Sequence, residues 1–339
     1  MGESPTQPAS DELSRRAFLA GTTAAAAGLA VGGAQHLLAE PTSRPAPSTR
    51  PSTPVVVQAR SDYVIEGRTV QKTILGEMLD WCLRTLTGTA TVADAWKAFL
   101  HPDDVIALKF NESGAIGLGT TPAFAEILIQ SLIHAGWKPE QIVPIEVPET
   151  IHQAFGTTRP STDWQAEEVD FGSGRDRLAG VLKQVTAIVN VPFMKTHNIA
   201  GITASLKNLS HALVKHPARF HDNHCCPYIG DIVALPQVRD KLRMNIVNAL
   251  RSVFEGGPDA TDDSTWQSGM VLAGTDPVAV DTVCLERLNR ERKSNRTRNF
   301  RPLPYIDQDR AVVAYLDAAS RKGLGCSQLH AIRVVERLF

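Results

Sequence analysis

The chain has 339 residues, and its 35 Lys+Arg nearly balance its 36 Asp+Glu. This near-neutral charge gives no support for a nucleic-acid partner or for binding to an anionic membrane surface. With 43% hydrophobic residues, the chain can bury the core of one large α/β domain or of two small domains.

The first 39 residues have the pattern of a twin-arginine signal peptide. Arg15 and Arg16 lie in the segment Ser-Arg-Arg-Ala-Phe-Leu, and a weakly apolar, alanine-rich run follows over residues 20–34. This run is too short and too small-sided for a stable transmembrane span. We therefore expect residues 1–39 to engage the twin-arginine translocase and to direct the protein to the periplasm or another extracytoplasmic space. An uncleaved anchor and a chance arginine pair are the alternatives, and cleavage after Ala34 or after Ala39 stays open.

Residues 40–54 are predicted to be a linker. Five prolines lie between Pro41 and Pro54, separated mainly by Ser, Thr and Arg. A segment of this composition is extended and solvated, and it has no core of its own. The sequence therefore predicts an α/β domain over residues 55–339.

Beyond the linker, apolar runs alternate with amphipathic segments. A continuous apolar run such as residues 105–108 indicates a strand that is covered on both faces. Strands are predicted over residues 55–59, 105–108, 142–147, 186–192, 243–250, 269–273 and 331–336. Helices are predicted over residues 69–86, 91–100, 122–135, 177–185, 203–214, 228–242 with a break at Pro236, 278–290 and 310–321. This alternation predicts an α/β fold with a mostly parallel sheet and helices on both faces.

Polar residues follow the ends of several predicted strands, namely Lys109, Asn111, Lys195, His197 and Glu255. Ligands bind at the carboxyl ends of the strands in such sheets, so these residues indicate a single site at that edge. The glycine-rich segment 114–121 precedes a helix, and the N–H groups at the start of a helix attract anions. A plain flexible turn is the alternative interpretation of that segment.

Histidine is concentrated in one stretch of the chain, because five of the ten histidines lie between His197 and His224. Lys195 follows a predicted buried strand, where a lysine is costly unless it is paired. Lys207 lies one helical turn before His211, so their side chains share a face. We expect Lys195, His197 and Lys207 to be the catalytic residues, and a solvated helix face is the alternative for Lys207 and His211.

The segment from His221 to Cys226 contains the residue types that bind metals. His221 and His224 are the candidate ligands of a divalent metal, although their spacing matches no standard zinc signature. A hydrogen-bonded substrate loop is the alternative. Cys225 and Cys226 form a vicinal disulfide, stay reduced, or have one of the two paired with a cysteine elsewhere in the chain. The chain has five cysteines but no Cys-x-x-Cys pair, so no iron–sulfur cluster is expected, and the sequence identifies no other cofactor.

Together these motifs resemble the bacterial and archaeal family known as domain of unknown function 362. The motifs are Lys109-Phe110-Asn111, V-N-V-P-F-M-K-T-H ending at His197, T-A-S-L-K-N-L through Asn208, His221, Gly256-Gly257-Pro258, and G-T-D-P-V-A-V-D ending at Asp281. The resemblance covers roughly residues 105–290. Many relatives carry an added ferredoxin segment, which this chain lacks, and relatives often have an aspartate where this chain has Asn248.

The resemblance implies a shared fold and site more than a reaction, because the family has no general assigned activity. We expect the substrate-binding residues to be Lys109, Asn111, Asn208, Glu255 and Asp281. The expected function is that of an exported enzyme acting on a small anionic substrate through a Lys/His-rich site, with or without a metal. A periplasmic ligand-binding or accessory protein without catalysis is the alternative. Such binding proteins usually have two similar lobes, and this sequence shows no duplication.

Overall fold

The structure of the protein is a computed structural model that describes residues 53–111, 115–296 and 313–339. The strands in these residues are β1 (Val55–Arg60), β2 (Ile65–Glu66), β3 (Thr69–Val70), β4 (Ile106–Lys109), β5 (Ile142–Ile145), β6 (Trp164–Asp170), β7 (Arg175–Ala179), β8 (Ala187–Asn190), β9 (Phe193–His197), β10 (Gly201–Thr203), β11 (Leu242–Val253), β12 (Thr265–Trp266), β13 (Met270–Gly274) and β14 (Arg333–Leu338). The helices are α1 (Lys72–Thr87), α2 (Val92–Phe99), α3 (Thr121–His134), α4 (Glu149–Phe155), α5 (Val181–Gln184), α6 (Ser205–Ser210), α7 (Tyr228–Val233), α8 (Pro236–Arg239), α9 (Pro277–Arg296) and α10 (Ala314–Arg321).

A ten-stranded sheet forms the centre of the fold. Its main path runs in the order β14-β1-β13-β11-β8-β4-β5. Along this path β13 runs antiparallel to both of its neighbours, whereas the other pairs are parallel. The predicted α/β fold with a mostly parallel sheet is therefore confirmed.

Both faces of the sheet are buried at strands such as β4, β8 and β13, which explains why these strands are apolar without alternation. Successive side chains of a strand point to opposite faces. In β4, Ala107 accordingly joins one core, whereas Ile106 and Leu108 join the other. Helices α6, α7, α9 and α10 cover the first core, and α1, α2 and α3 cover the second.

The long strand β11 has 12 residues and extends past the strands beside it. Its first half pairs with β8 and its second half with β9, both in parallel. Strand β9 then turns back into β10, with Thr203 opposite Lys195 and Gly201 opposite His197. The second half of β11 therefore supports a small hairpin that carries two of the predicted site residues.

Several helix boundaries follow from local sequence signals. Thr91 caps α2 by accepting a hydrogen bond from the backbone N–H of Asp94. Asp276 caps α9 in the same way, with its Oδ1 2.8 Å from the backbone nitrogen of Ala279. The left-handed Gly88 follows α1.

Several predicted helices have different boundaries in the structure, and the one predicted over 228–242 ends at Arg239, because Leu242 already belongs to β11. The helix predicted over 69–86 begins at Lys72, because Thr69 and Val70 pair with β2. The helix predicted over 203–214 is shortened to α6, because residues 201–203 form β10 and residues 211–213 form a 3₁₀ turn. Helix α3 begins at Thr121, one residue before the predicted start at residue 122.

The helix predicted over 177–185 was wrong in its first half. Residues 175–179 form β7, which pairs with β6 in an antiparallel hairpin that the sequence did not predict. In β7, Asp176 and Leu178 are buried whereas Arg175 and Arg177 are exposed. The burial thus has the period of two of a strand with one solvated face. Because the buried Asp176 is charged, the residue types show no apolar alternation that could have predicted this strand.

The predicted signal peptide over 1–39 and most of the predicted linker over 40–54 lie outside the described residues. No helix in the described ranges combines the length and the hydropathy that a membrane span needs.

Candidate functional site

The site is built on a chain of buried amide side chains that links α6 to three strands. Asn208 of α6 donates through Nδ2 to the Oδ1 of Asn190 at 2.7 Å and to the Lys109 carbonyl at 3.0 Å. Asn190, the last residue of β8, donates to the Oδ1 of Asn245 at 2.9 Å and to the Ser205 carbonyl at 3.0 Å. Because unsatisfied buried polar atoms are costly, this chain holds α6 in one position. Asn190 and Asn245 were not predicted, although each interrupts an apolar strand.

Lys109 is buried at the end of β4 and belongs to the same network. Its Nζ lies 2.6 Å from the Oε2 of Glu146 and 3.2 Å from the Oδ1 of Asn208. Glu146 has a positive φ of 57°, a region that non-glycine residues enter rarely. Lys109 therefore forms an ion pair with Glu146, and its role as a substrate ligand stays a prediction.

Lys195 lies within β9 and is 1% exposed. Its Nζ donates to the Oδ1 of Asn111 at 3.4 Å. The Nδ2 of Asn111 in turn donates to the Oδ1 of Asn208 at 3.3 Å. Burial lowers the pKa of Lys195 to about 8; Asp259 and Glu146 oppose this shift, and the positive charge of Lys207 adds to it. The sequence predicts that Lys195 and His197 follow a strand over residues 186–192. In the structure that strand, β8, ends at Asn190, and both residues lie within the next strand, β9.

His197 is held as a neutral hydrogen-bond donor. Its Nδ1 is 3.1 Å from the backbone nitrogen of Ile199 and 3.2 Å from that of Ala200. Backbone N–H groups only donate, so Nδ1 accepts both bonds and the ring hydrogen of the neutral form is on Nε2. Burial, followed by the charge of Lys207, lowers the pKa of His197 to about 2.

His221 has the opposite arrangement. Its Nδ1 lies 3.1 Å from the carbonyl of Pro217 and 3.3 Å from that of Ala218. Carbonyls only accept, so Nδ1 carries the hydrogen and Nε2 keeps a lone pair. The ammonium of Lys207 donates to that lone pair over 3.3 Å.

Three histidine rings meet beside Lys207. The rings of His197 and His221 are stacked with centroids 5.9 Å apart, and the ring of His211 meets that of His221 edge-on at 4.6 Å. Burial and the charge of Lys207 lower the pKa of His211 well below its ordinary value. We call Lys195, His197, Lys207, His211 and His221 the Lys/His cluster.

Cys225 joins this cluster through an unusual turn. Asn223, His224 and Cys225 have consecutive positive φ angles of 48°, 53° and 62°. Cys225 is fully buried, and one ligand atom each from His211, His221 and Cys225 lie within 4.8 Å of one another. His224, which was predicted beside His221 as a metal ligand, lies outside this group. It is exposed, with its Nδ1 3.0 Å from the Ile199 carbonyl.

Two carboxylates that were predicted to bind substrate lie against protein groups. Asp281 is fully buried and accepts the backbone N–H groups of Ser205 at 2.6 Å and Leu206 at 3.1 Å, at the start of α6. Burial raises the pKa of Asp281 to about 7. Glu255 follows β11, and its Oε2 is 3.6 Å from the Nε of the buried Arg292. Asp281 thus positions the helix that carries Lys207 and Asn208.

Asn248, where relatives often have an aspartate, is buried in β11. Its Oδ1 accepts a hydrogen bond from the Thr120 hydroxyl at 3.2 Å, so the side chain ties β11 to the start of α3.

The sequence matches the family described as Domain of unknown function (DUF362) over residues 152–286. The matched region contains the whole Lys/His cluster, Cys225 and Asp281, whereas Lys109 and Asn111 precede it. No curated protein matches the sequence. The match therefore covers the part of the chain in which the cluster lies, and the chemistry has to be inferred from the residues.

Proposed function

We propose that this protein is an exported enzyme that moves a proton on a small anionic substrate at the Lys/His cluster, with or without a metal. The observation that supports this most directly is the convergence of two buried lysines, Lys195 and Lys207, on a neutral histidine donor, His197. Burial lowers the pKa of Lys195 and that of His197, and the charge of Lys207 lowers both further. Positive charge is therefore concentrated in a buried place.

A negatively charged ligand fits these groups. Ammonium groups and the Nε2–H of His197 are donors, and charge-assisted hydrogen bonds to a carboxylate or phosphate are stronger than neutral ones. Binding such a group would offset the repulsion between the lysines. The substrate class that we propose is therefore a small carboxylate or phosphate compound.

His221 and His197 then have different roles in proton transfer. When Lys207 turns toward the anion, the Nε2 lone pair of His221 is released to accept a proton from the substrate. The Nε2–H of His197 can stabilise the negative charge that develops, because its ring is held neutral and oriented by two backbone N–H groups.

Export is the part of this proposal that the N-terminal sequence supports. The Arg15-Arg16 pair and the alanine-rich run that follows favour delivery through the twin-arginine translocase to the periplasm or another extracytoplasmic space.

The experiment is thermal unfolding of the wild type, Lys195→Met and Lys207→Met, with and without phosphate or a small dicarboxylate. We expect the anion to raise the melting temperature of the wild type by mass action. Each substitution should weaken the apparent affinity for the anion at least tenfold and so reduce the rise in melting temperature. The stability of the ligand-free protein should be spared, because repulsion between the lysines is relieved. Lys97→Met, at an exposed position of α2, is the matched control and should keep the full rise.

Strong destabilisation by both substitutions, together with no anion-dependent shift of the wild type, would overturn the anion site. Incubation with candidate carboxylates in deuterated water separates an enzyme from a binding protein. An enzyme that transfers protons exchanges a substrate hydrogen for deuterium, and His221→Gln should abolish this exchange. Binding without exchange of any candidate would favour the ligand-binding alternative.

A further inference from the structure

We propose that His211, His221 and Cys225 form a binding site for a transition metal of the Zn²⁺ type within the Lys/His cluster. This deepens the proposed function, because the metal would lie beside the lysines that bind the anion. It also changes the role of His221: with a metal on its Nε2, that nitrogen would no longer accept the substrate proton, and a metal-bound water at the open position would take over that task. Two imidazoles and a thiolate suit Zn²⁺ and similar metals, whereas Mg²⁺ and Ca²⁺ prefer oxygen ligands.

The distances are compatible with such a site. The three ligand atoms lie within 4.8 Å of one another. Ligand atoms around a tetrahedral zinc ion are about 3.5 Å apart, given bonds of about 2.0–2.3 Å. Small side-chain rotations would therefore bring the group into coordination. With three protein ligands, a fourth position would face the anion, as in catalytic zinc sites.

The surroundings of the two rings are those of metal-binding histidines. Such a histidine donates its other ring N–H to a carbonyl or carboxylate. Here the Nδ1 of His221 is 3.1 Å from the Pro217 carbonyl, and the Nε2 of His211 is 3.1 Å from the Phe220 carbonyl. Both carbonyls belong to one 3₁₀ turn, residues 217–220, so a single short element orients both rings.

The side chain of Ser210 occupies the remaining nitrogen of His211. Its hydroxyl lies 3.0 Å from the His211 Nδ1 and 3.2 Å from the Lys207 carbonyl. Rotation of the Ser210 side chain away from Nδ1, and not of its hydrogen alone, would leave that nitrogen with a lone pair for a metal.

The turn at residues 223–225 selects which thiol enters the group. Three consecutive left-handed non-glycine residues are strained, and such strain is concentrated at functional sites. The result is that Cys225 is buried beside the rings, whereas Cys226 is half-buried and His224 is exposed. The chain therefore supplies a matched pair of cysteines and a matched pair of histidines, one inside the group and one outside it.

Lys207 couples metal binding to anion binding. Its ammonium donates to the His221 Nε2 at 3.3 Å, so a metal must displace it from that nitrogen. Displacement would direct the ammonium toward an anion bound at the open position. Metal and anion should therefore bind cooperatively, and removal of the ammonium should strengthen metal binding.

The test uses the full chain, freed of metal and titrated with Co²⁺ and with Zn²⁺. The wild type should bind one metal ion, and the Co²⁺ form should show the near-ultraviolet charge-transfer band of a thiolate ligand. Cys225→Ser should lose the band and at least tenfold in Zn²⁺ affinity, whereas Cys226→Ser should keep both. His221→Gln should lose at least tenfold in affinity, whereas His224→Gln should not. Lys207→Met should bind Zn²⁺ more tightly than the wild type.

Three results would overturn the site: a wild type without the thiolate band, equal losses in Cys225→Ser and Cys226→Ser, or weaker Zn²⁺ binding by Lys207→Met. The band of the wild type and the gain in Lys207→Met decide the question even if Cys225→Ser does not fold. The anion-dependent thermal shift is measured separately on the metal-free wild type. If the thermal shift is present and the thiolate band is absent, the metal site is rejected and the anion site stands. If the band is present and the shift is absent, only the anion site is rejected.

Discussion

At the scale of single residues, backbone groups assign opposite roles to two histidines. The Nδ1 of His197 faces two backbone N–H groups, and the Nδ1 of His221 faces two carbonyls. One ring therefore presents an N–H and the other a lone pair to the same space beside Lys207. The same residue type can thus supply both the donor and the acceptor that proton transfer requires.

Asp281 gives a prediction about pH. Burial raises its pKa from an ordinary value of 3.8 to about 7, so the folded state holds this proton more tightly than the unfolded chain does. The resulting stability is fully present below the ordinary pKa and is lost as the pH rises through the folded pKa. Between these limits, the free energy of unfolding should fall by up to about 1.4 kcal/mol per pH unit because of this group.

Urea unfolding of the wild type and Asp281→Asn, at intervals from about pH 5 to about pH 8, measures this contribution. The difference between the two proteins isolates Asp281 from other titrating groups. We expect Asp281→Asn to gain stability relative to the wild type as the pH rises. Asp163→Asn, at an exposed position, should show no such trend. A difference that stays constant with pH for Asp281→Asn would contradict the raised pKa.

At the scale of elements, the loop after β11 holds the hairpin of β9 and β10 in place. The backbone nitrogen of Gly257 donates to the Thr196 hydroxyl at 3.1 Å, and its carbonyl accepts from the backbone nitrogen of Asn198 at 3.0 Å. A Cβ atom at Gly257 would lie 2.0 Å from the Thr196 carbonyl oxygen. Only glycine allows the loop to approach β9 this closely.

Gly257→Ala should therefore push β9 away from the loop and displace Lys195 and His197. We expect a loss of about 1–3 kcal/mol in the free energy of unfolding, as for other overpacked sites, and a weaker anion-dependent thermal shift. Gly76→Ala in α1 is the matched control, since a Cβ there meets nothing within 4 Å and alanine is favoured over glycine in a helix. Retention of wild-type stability and anion binding by Gly257→Ala would show that the hairpin adjusts without cost.

At the scale of the whole molecule, one sheet gathers residues that are far apart in the chain. Strand β1 lies between β13 and β14, near one end of the main path, whereas β4, β8 and β11 bring Lys109, Asn190 and Asn245 together. Strand β1 therefore belongs to the half of the sheet near β14, whereas the site lies on the half that contains β11, β8 and β4.

This arrangement predicts where the chain can be shortened. Removal of residues 1–52 should leave the melting temperature unchanged, because the predicted linker has no core of its own. Removal through residue 60 should destabilise the domain strongly, because it deletes β1 and leaves β14 without the neighbour with which it pairs. Thermal unfolding of both truncated proteins checks this, and a fall of several degrees in the shorter truncation would move the predicted domain boundary toward the N-terminus.

Local patterns of the sequence were sufficient for the fold class and for most of the elements. The apolar run at residues 105–108 and the Asp276-Pro277 helix start depend on interactions between near neighbours in the chain, so a short window contains the signal. The position of Lys109 at the end of a strand was predictable for the same reason, because it follows an apolar run.

Contacts between distant segments decided the rest. The pairing of β6 with β7, the buried link between Asn190 and Asn245, and the partners of each imidazole nitrogen depend on residues that only folding brings together. The choice of Cys225 over Cys226 and the separation of His224 from His221 depend on the backbone conformation of residues 223–225. The segment and its flanks contain two histidines and two cysteines, and the positive φ angles at residues 223–225 determine which of them reach the cluster.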